Sequence, residues 1–461
     1  MITSPVFRGK RYAVLGLARS GVATVEALLA SGAHVTAWDS REEARETIRR
    51  PGGSRGRSET QGELASSGPG LRRGDVAFAD PLEIDLTGFD GVVVSPGVPL
   101  NKHPIADHAR KAGVPVIGDI ELFALARPSL PPHKVVGITG TNGKSTTTAL
   151  IHHILETAGV PSLMGGNIGL PILSQNPLPE GGVYVLELSS YQIDLTFSLD
   201  CDVAVLTNIT PDHLDRYDGF EGYVASKVRL FEMQGDPHVA VITYDDPGLE
   251  RLVMPSIGVA NIYQTAGRDV VDQALHGWKQ SYQAEWPSLQ GPHNAQNAAC
   301  AIATCRSLEL SDAIIDKGLR TYPGLPHRME RVAEKNGVLY VNDSKATNAT
   351  ATAPALAAYP KVHWILGGLP KTDDLDDCAP FFGHVLAGYT IGQAGPMFAE
   401  ILRHAGKPVT ESQTLAQAVN DAAAAASPGD VVMLSPACAS FDQFKDYEAR
   451  GEAFRAAVGA L

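Results

Sequence analysis

A glycine-rich segment has the residue types needed to hold a phosphate. Gly137-Ile-Thr-Gly-Thr-Asn-Gly-Lys-Ser145 follows the apolar pair Val135-Val136 and precedes a helix-like run over 146–158. In such a strand–turn–helix, backbone N–H groups and the helix N-terminus direct partial positive charge at an anion, while the lysine reaches phosphates and the hydroxyl binds magnesium. Five residues separate Gly137 from Gly143, where the usual pattern has four, so the loop is a variant. We predict a nucleotide site; a strand–helix turn that binds nothing is the alternative, since glycines also form tight turns.

Two candidate metal ligands, Glu187 and His213, lie at or after the ends of predicted apolar strands. Glu187 lies near the end of a strand predicted over 183–188, and a carboxylate beside a phosphate loop is the expected partner of a magnesium ion that bridges phosphate oxygens. A solvated glutamate at a strand end is the alternative. His213 lies in a segment rich in ionisable residues that follows a strand predicted over 203–206. One imidazole nitrogen could ligate a metal while a carboxylate orients the other, although such a histidine is as often an ordinary loop residue.

A lysine and two asparagines are further candidates. Lys227 lies in a predicted amphipathic helix, Tyr223–Phe231, where spacing alone indicates a surface lysine. Asn294 and Asn297 are three residues apart at a helix start and therefore share a face. Paired amides could read the edge of a base, whereas N-capping by Asn294 is the alternative.

The N-terminal region has the pattern of a βαβ unit. Strands predicted over 11–17 and 34–39 flank a helix over 21–31, with Gly16-x-Ala-x-x-Gly21 at the turn and Asp39 at the end of the second strand. This pattern is compatible with a nucleotide-type ligand and with a plain scaffold. A further strand, over 91–97, ends in a tight turn at the sheet edge where open α/β sheets bind ligands. Residues 50–75 are rich in Gly, Ser and Arg, and we interpret them as a mobile surface insertion.

The C-terminal third repeats the alternation of strands and helices. Strands predicted over 338–341, 363–366 and 431–434 are separated by alanine-rich helical stretches, which favours another α/β unit. We predict a boundary between the first two units at the proline-flanked segment Pro128–Pro132. We therefore predict an α/β protein with more than one domain.

Composition excludes several classes of function. A chain of 461 residues is too long for one core, and 44% hydrophobic with 19% charged residues is typical of a globular enzyme. A net charge of −13 argues against nonspecific nucleic-acid binding. The five cysteines contain no CxxC pair, which fits a reducing compartment, and the sequence contains neither a signal-peptide core nor an 18-residue apolar run. We expect a cytoplasmic protein that does not bind nucleic acid or insert into membranes.

Taken together, the motifs resemble those of the Mur ligases, over nearly the whole chain and in order. The segments that carry the resemblance are Gly-Asp-Ile-Glu-Leu-Phe123, Gly-Thr-Asn-Gly-Lys-Ser-Thr146, Gly-Gly-Asn-Ile-Gly169, Leu-Glu-Leu-Ser-Ser-Tyr-Gln192, Asp-His-Leu-Asp-Arg-Tyr217, His-Asn-Ala-Gln-Asn297, Gly-Leu-Pro-His-Arg328, Asn-Asp-Ser-Lys-Ala-Thr-Asn348 and Leu-Ser-Pro-Ala-Cys-Ala-Ser440. The last two are those of the family branch that adds D-glutamate. Tyr191 and Tyr447 stand where the family has phenylalanine.

The resemblance implies three α/β domains and a peptide-ligase reaction. The domains are a Rossmann-like UDP-sugar domain (1–121), a central P-loop ATPase-like domain (122–323) and a Rossmann-like amino-acid domain (324–461). The implied reaction is the ATP-dependent addition of D-glutamate to UDP-N-acetylmuramoyl-L-alanine through an acyl phosphate, in cytoplasmic peptidoglycan precursor synthesis. We expect a monomer with ATP and two Mg²⁺ ions.

The resemblance also assigns residues. Lys144, His213 and Lys227 are implied to be catalytic, with Lys227 carried as a carbamate. ATP is implied to contact Gly140, Thr141, Asn142, Gly143, Lys144, Ser145, Thr146, Asn294, Asn297, Arg328 and Asp343. The magnesium ligands are Ser145, Glu187, His213 and carbamylated Lys227. The UDP-substrate residues are Arg19, Ser20, Ser40, Arg41, Gly97, Asn167, Ser189 and Gln192. D-Glutamate is implied to contact Thr347, Lys371, Ser440 and Phe441.

Four other functions compete with this interpretation. A folate polyglutamate synthase uses the same loop but begins close to it, whereas this chain has a βαβ unit first. Mur ligases that add L-alanine or a diamino acid are disfavoured by Ser440-Phe441 and by Asn342–Asn348. A dinucleotide-dependent oxidoreductase leaves the second phosphate loop unexplained. A noncatalytic nucleotide switch would form no product from the three substrates.

Overall fold

Three β-sheets flanked by helices organise the chain. The computed structural model describes residues 1–49, 76–244, 261–266 and 280–461. The predicted surface insertion at 50–75 lies entirely outside these residues. Two compact units are formed, Met1–Val270 with Cys300–Ser311 and Val271–Ala299 with Asp312–Leu461. The first unit contains two of the sheets and the second contains the third.

The first sheet is parallel, with strand order β3-β2-β1-β4-β5. Its central strands are buried and therefore consist of nearly continuous apolar residues, as expected where helices cover both faces. The strands are β1 (Arg11–Leu15), β2 (His34–Trp38), β3 (Val76–Phe78), β4 (Gly91–Val94) and β5 (Val116–Ile117). The helices are α1 (Arg19–Ala30), α2 (Glu42–Arg49), α3 (Ile105–Ala112) and α4 (Asp119–Ala126).

The second sheet carries the phosphate loop and has strand order β11-β10-β9-β6-β8-β7, all parallel. Its strands are β6 (His133–Thr139), β7 (Ser162–Gly166), β8 (Gly182–Glu187), β9 (Val203–Leu206), β10 (Val239–Tyr244) and β11 (Asn261–Ala266). The helices after them are α5 (Lys144–Thr157), α6 (Ser190–Asp194), α7 (Gly219–Glu232) and α8 (Pro292–Ser307). One buried apolar cluster runs from Ile2 in the first sheet's domain to Ile242 in β10, so the two sheets share a core.

The second unit is built on a mixed sheet with strand order β12-β13-β17-β14-β15-β16. All pairs are parallel except β12 with β13, and apolar clusters cover both faces. Its strands are β12 (Glu330–Lys335), β13 (Val338–Asn342), β14 (Val362–Gly367), β15 (Val385–Ile391), β16 (Val409–Gln413) and β17 (Val431–Leu434). The helices are α9 (Asp312–Thr321), α10 (Ala349–Ala357), α11 (Gly395–His404), α12 (Leu415–Ala425) and α13 (Tyr447–Ala460).

The predicted α/β class is confirmed by these three sheets. The nine strands predicted from the sequence are present, with ends that differ by a few residues at most. In the described part of the chain, we find no helix with the length and apolarity needed to cross a bilayer.

Candidate active site

The phosphate loop connects the end of β6 to the start of α5. Gly140 has φ +146°, and a Cβ there would lie 2.0 Å from Oγ1 of Thr207, so only glycine fits. The loop is anchored to the segment after β9, because the Thr141 N–H donates to the carbonyl of Asn208 at 2.9 Å. Lys144 donates from Nζ to the carbonyls of Gly140 at 2.9 Å and of Thr141 at 2.8 Å. The loop is therefore a rigid backbone cradle with a lysine lying over it.

Lys227 is buried against this loop, contrary to the surface position that its spacing alone favours. It lies on α7 with 2% of its surface exposed and donates from Nζ to the carbonyl of Gly140 at 2.8 Å. The ring centre of Tyr223 lies 4.5 Å from the same nitrogen. Burial, with Lys144 nearby, lowers the pKa of Lys227 to about 7. Two lysines thus share one carbonyl oxygen, and the buried one loses its proton more readily than an exposed lysine does.

Glu187 is the last residue of β8 and pairs in register with Ile138 of β6, just before the phosphate loop. Only 2% of its surface is exposed, so it is not the solvated strand-end glutamate of the alternative interpretation. Oε1 accepts a hydrogen bond from Nδ2 of Asn167 at 2.8 Å, whereas Oε2 is buried and has no hydrogen-bond partner among the described residues. An unpartnered buried carboxylate oxygen is costly, which suits a site that binds a cation.

The predicted magnesium ligands fit the ion only if groups other than His, Cys, Asp and Glu side chains also bind it. Among the described residues, no three His, Cys, Asp or Glu side chains lie close enough to hold a metal. Ser145, in the first turn of α5, and Glu187 supply two oxygens, which suits an ion that is otherwise held by phosphates and water. A second ion would need His213 and an oxygen on Lys227, which an amine does not supply.

His213 lies on the exposed loop between β9 and α7. Its backbone has φ +53°, a left-handed conformation, and its ring lies 5.2 Å from the ring of Tyr191, centre to centre. Its Nε2 is 3.6 Å from Oδ2 of Asp212, so a neighbouring carboxylate does face the imidazole. The same loop is bonded to the phosphate loop at Thr141, so His213 lies at the same edge of the sheet as the phosphate loop.

The predicted UDP-substrate residues cluster at the carboxyl ends of strands in the first unit. Asp39, after β2, accepts hydrogen bonds from the N–H groups of Leu17 at 2.8 Å and Arg41 at 2.9 Å. It therefore connects the turn that follows β1 to the turn that follows β2. Sequence reasoning gave Asp39 no role beyond the motif. Arg19, at the start of α1, donates to the carbonyl of Gly169 at 3.4 Å. The remaining predicted residues lie at the starts of α1 and α2, after β4, after β7 and at the start of α6: Ser20, Ser40, Gly97, Asn167, Ser189 and Gln192.

The start of α6 is fixed by a capping box. The Ser189 hydroxyl accepts from the N–H of Gln192 at 3.3 Å, and the side-chain oxygen Oε1 of Gln192 accepts from the N–H of Ser189 at 3.1 Å. Gln192 is buried. The predicted substrate contacts of this pair therefore come from side chains already held by the helix.

In the second unit, the two predicted adenine residues bond to each other. Asn297 donates from Nδ2 to Oδ1 of Asn294 at 3.1 Å, and both are buried. Asn294 lies in the third position of α8 and donates to the carbonyl of Gln290 at 3.0 Å, so it is not the N-cap of the alternative interpretation. The shared face that the spacing predicted is present.

Asp343 lies at the end of β13 and is buried. Oδ1 accepts from the N–H of Met329 at 3.1 Å, and Oδ2 accepts from the Ser435 hydroxyl at 2.8 Å. Burial raises the pKa of Asp343 to about 7. Arg328 precedes Met329 and lies near enough for its charge to favour the ionised carboxylate, so these two predicted residues are neighbours.

The structure brings together two of the four predicted D-glutamate residues by direct contact. Lys371 donates from Nζ to the Thr347 hydroxyl at 3.2 Å. Ser440 is buried beside the Leu369–Ala439 backbone bridge, two residues from Lys371, whereas Phe441 is 68% exposed. Of these four residues, only Lys371 and Thr347 are therefore joined by a hydrogen bond.

Arg450 holds these segments together and was missed from the sequence. It lies on α13 with 1% of its surface exposed and donates to the carbonyls of Ser344 at 2.9 Å, Cys438 at 3.0 Å and Ala439 at 3.2 Å. These carbonyls flank the predicted D-glutamate residues. No sequence signal marks Arg450, because its partners are backbone atoms.

Comparison with family models and relatives identifies this arrangement. The model described as Mur ligase middle domain matches residues 138–305, and that described as Mur ligase, glutamate ligase domain matches residues 327–438. The chain is 62% identical to the UDP-N-acetylmuramoylalanine–D-glutamate ligase of Novosphingobium aromaticivorans, covering 100% of this chain and 97% of the relative. It is 61% identical to the ligase of the same name from Sphingopyxis alaskensis, covering 100% of both.

Solved structures share the fold at low identity. The UDP-N-acetylmuramate–alanine ligase of Thermotoga maritima matches with a TM-score of 0.56 and 16% identity, covering 98% of this chain and 99% of that one. The MurF ligase of the same organism, in complex with ADP, matches with a TM-score of 0.54 and 16% identity, covering 98% and 96%. These likenesses show the fold.

Proposed function

We propose that this chain, which belongs to the Mur ligase family, adds D-glutamate to UDP-N-acetylmuramoyl-L-alanine in an ATP-dependent step of peptidoglycan precursor synthesis. The observation that carries the proposal is the pairing of a phosphate loop with buried Lys227 and the unpartnered oxygen of Glu187. The full-length relatives at about 60% identity, which are named for this reaction, support the choice of substrates.

The chemistry requires activation of a carboxylate. A carboxylate and an ammonium ion form an ion pair at neutral pH and do not condense, because oxide is a poor leaving group. The alanine carboxylate therefore attacks the γ-phosphorus of ATP, forming a C–O–P linkage and releasing ADP. The free amine of D-glutamate then attacks the acyl carbon and loses a proton, and the C–O bond breaks to release phosphate. The products are an amide, ADP and phosphate.

The central sheet supplies the electrostatic part of this reaction. Lys144 and the backbone N–H groups of the loop hold phosphate oxygens and offset the charge that develops during transfer. Ser145 and Glu187 are the residues that would hold a first magnesium, and His213 with modified Lys227 a second. Bound magnesium supplies positive charge between phosphates and the attacking carboxylate, which otherwise repel each other. Asn167 keeps the Glu187 carboxylate oriented through Oε1.

Lys227 is suited to carry CO₂ as a carbamate. Only the uncharged amine forms this bond: the nitrogen lone pair attacks carbon, and a proton leaves to solvent. A pKa of about 7 makes the amine available at neutral pH. The product is an anion beside Lys144, so a costly pair of cations becomes an attractive pair and the missing metal-binding oxygen is supplied.

The remaining proposals assign one ligand to each of three domains, and each domain contains one of the sheets. We propose domains 1–121, 122–323 and 324–461 for the UDP-sugar, ATP and D-glutamate. In the last of these, Lys371 and Thr347 present a cation and a hydroxyl to the D-glutamate carboxylates, with Ser440 and Phe441 alongside. The chain is expected to act as a monomer in the cytoplasm.

The test is phosphate release from purified protein with ATP, magnesium, bicarbonate and UDP-N-acetylmuramoyl-L-alanine. D-Glutamate should support turnover, whereas L-glutamate, L-alanine and diaminopimelate should not. Lys144→Met should abolish release with all of them, because it removes the phosphate-binding cation. Equal turnover with any of the other amino acids, or none with D-glutamate, overturns the proposal.

A further inference from the structure

Two hydrogen bonds join the His213 loop to the loop that follows β4. Arg216 donates from Nη2 to the carbonyl of Val98 at 3.2 Å, and Asn101 donates from Nδ2 to the carbonyl of Asp215 at 3.2 Å. The Arg216 guanidinium also lies 4.3 Å from the ring centre of Tyr191. Each loop thus gives one side chain to the backbone of the other.

The opposite end of the His213 loop is bonded to the phosphate loop. The Thr141 hydroxyl accepts from the N–H of Thr210 at 3.0 Å and donates to its carbonyl at 3.1 Å. The loop from Asn208 to Tyr217 therefore connects the phosphate loop to the Gly97 loop, which is proposed to contact the UDP-sugar. The same ten residues carry His213 between these two attachments.

The turn at His213 needs external support. Its φ of +53° is unfavourable for a residue with a Cβ, and such a conformation persists only where surrounding contacts hold it. The Arg216 N–H closes the turn on the carbonyl of His213 at 2.9 Å. Contacts that fix Arg216 therefore also fix the backbone that orients the imidazole.

The His213 loop and the Gly97 loop are not packed closely enough to hold each other in place without these hydrogen bonds. A cavity of about 80 Å³ lies where the two loops meet, and Val98, Asn101, Tyr191 and Arg216 are among the residues that line it. With this gap between them, the loops are held in register by the two hydrogen bonds and the Arg216–Tyr191 stack.

We infer that Arg216 and Asn101 are positioning residues that set the alignment of the UDP-sugar substrate with His213 and the phosphate loop. Neither touches the reacting atoms. They act by fixing the His213 loop to the Gly97 loop, so that the alanine carboxylate and the nucleotide meet in one geometry. This role rests on the proposed function of the two loops.

The kinetic test uses Arg216→Met, which keeps side-chain length and removes the charge and donors. Since small misplacements of reactants cost up to about 100-fold in rate, kcat/KM for UDP-N-acetylmuramoyl-L-alanine should fall about 10-fold or more, mainly in kcat. The KM for D-glutamate, whose residues lie in the other unit, should stay within about 2-fold. Arg216→Lys, which keeps a cation over Tyr191, should recover part of the loss, and Asn101→Ala should change kcat in the same direction as Arg216→Met.

Arg229→Met is the matched control. Arg229 also donates to a backbone carbonyl, that of Thr196 at 2.9 Å, and stacks on Phe197 at 5.2 Å, but bonds neither loop. Asp194, beside it, keeps hydrogen bonds from Tyr217 and Ser226. The control should retain kcat within about 2-fold, because a half-exposed stack of this kind stabilises only modestly.

Hydrogen exchange, measured on protein without ligand or metal, distinguishes a failure of the positioning role from a failure of the proposed ligase function. The Thr210 and Arg216 amides should exchange at least about 10-fold faster in Arg216→Met than in Arg229→Met. If exchange and kcat match the control, the positioning role is wrong even where wild-type ligase activity is normal. If the wild-type protein forms no peptide bond but the exchange difference is present, the proposed function fails and the connection between the loops stands.

Discussion

Removal of dissolved CO₂ should inactivate the ligase reaction, because the proposed second metal position needs an oxygen that unmodified Lys227 does not have. We expect phosphate release to decay in CO₂-free buffer as the carbamate dissociates and to return when bicarbonate is added. Lys227→Met should be inactive in both conditions. The side chain of methionine fills a similar volume but neither accepts CO₂ nor binds magnesium at this site.

The size of the effect follows from the lowered pKa. A lysine with the usual pKa of 10.5 is neutral in roughly one molecule in 3,000 at pH 7, whereas a pKa of about 7 makes half of the amines neutral. The reactive fraction therefore rises by about three decades relative to an exposed lysine. Carbamylation should consequently occur at Lys227 well before it occurs at surface lysines, at ambient CO₂.

The lowered pKa of Lys227 also makes the free energy of unfolding depend on pH. Between pH 7 and pH 10.5, the unfolded chain binds a proton at Lys227 that the folded chain does not, so folding becomes more favourable as pH rises through this window. In CO₂-free buffer, Lys227→Met should be more stable than the wild-type protein at pH 7, by a few kcal/mol at most. That advantage should shrink toward pH 10.5, as measured by urea unfolding.

The assay combines phosphate release with ¹³C NMR of protein equilibrated with ¹³C-bicarbonate. A carbamate resonance should appear in the wild-type protein and be absent from Lys227→Met. Lys134→Met, which removes an exposed lysine on β6 of the same sheet, should keep both the resonance and the CO₂ dependence. Full activity in CO₂-free buffer, with no resonance assignable to Lys227, would refute the reasoning.

Three further substitutions test individual parts of the site. Glu187→Gln should slow phosphate release by two to three decades, about 3–4 kcal/mol, and raise the magnesium requirement, while thermal unfolding is unchanged or improved because a neutral amide costs less to bury. Asp343→Asn should alter how the free energy of unfolding depends on pH. Because the pKa of Asp343 is raised to about 7, the folded wild-type chain binds more protons than the unfolded chain between pH 3.8 and 7, and it loses stability as pH rises through this range. Urea unfolding of the variant at several pH values should not show this loss. Lys371→Met should raise the KM for D-glutamate about 10- to 100-fold and leave the KM for ATP unchanged, since a charge-assisted hydrogen bond is worth roughly 1.5–3 kcal/mol.

Several of the strands buried on both faces could be predicted. Parallel strands covered by helices read as continuous apolar runs, such as Gly91–Val94 and Val203–Leu206, so their burial is visible in the sequence. Strands at sheet edges lack this signal. Glu330–Lys335 contains four charged residues, Val409–Gln413 contains one apolar residue, and Val116–Ile117 has only two residues, so pattern alone does not identify them.

The site was predictable where chemistry depends on local spacing. Gly140, Lys144 and Ser145 act through one loop and one helix start, and the loop was recognisable from their order. The burial of Lys227 was not, because it depends on α7 packing against a carbonyl 87 residues away in sequence. Arg450 was invisible for the same reason, since its partners lie on two loops brought together by the third sheet.

Charge placement explains how a chain with net charge −13 can bind three anionic substrates. The excess of negative charge lowers nonspecific attraction for anions, so binding must come from cations at defined positions. Lys144 lies over the phosphate loop, and Lys371 is exposed beside Thr347. A second fixed cation at Lys227 would oppose magnesium, and conversion of that one side chain to an anion resolves the conflict. The proposed carbamylation therefore requires a low pKa at Lys227, and burial against Gly140 is the structural feature that lowers it.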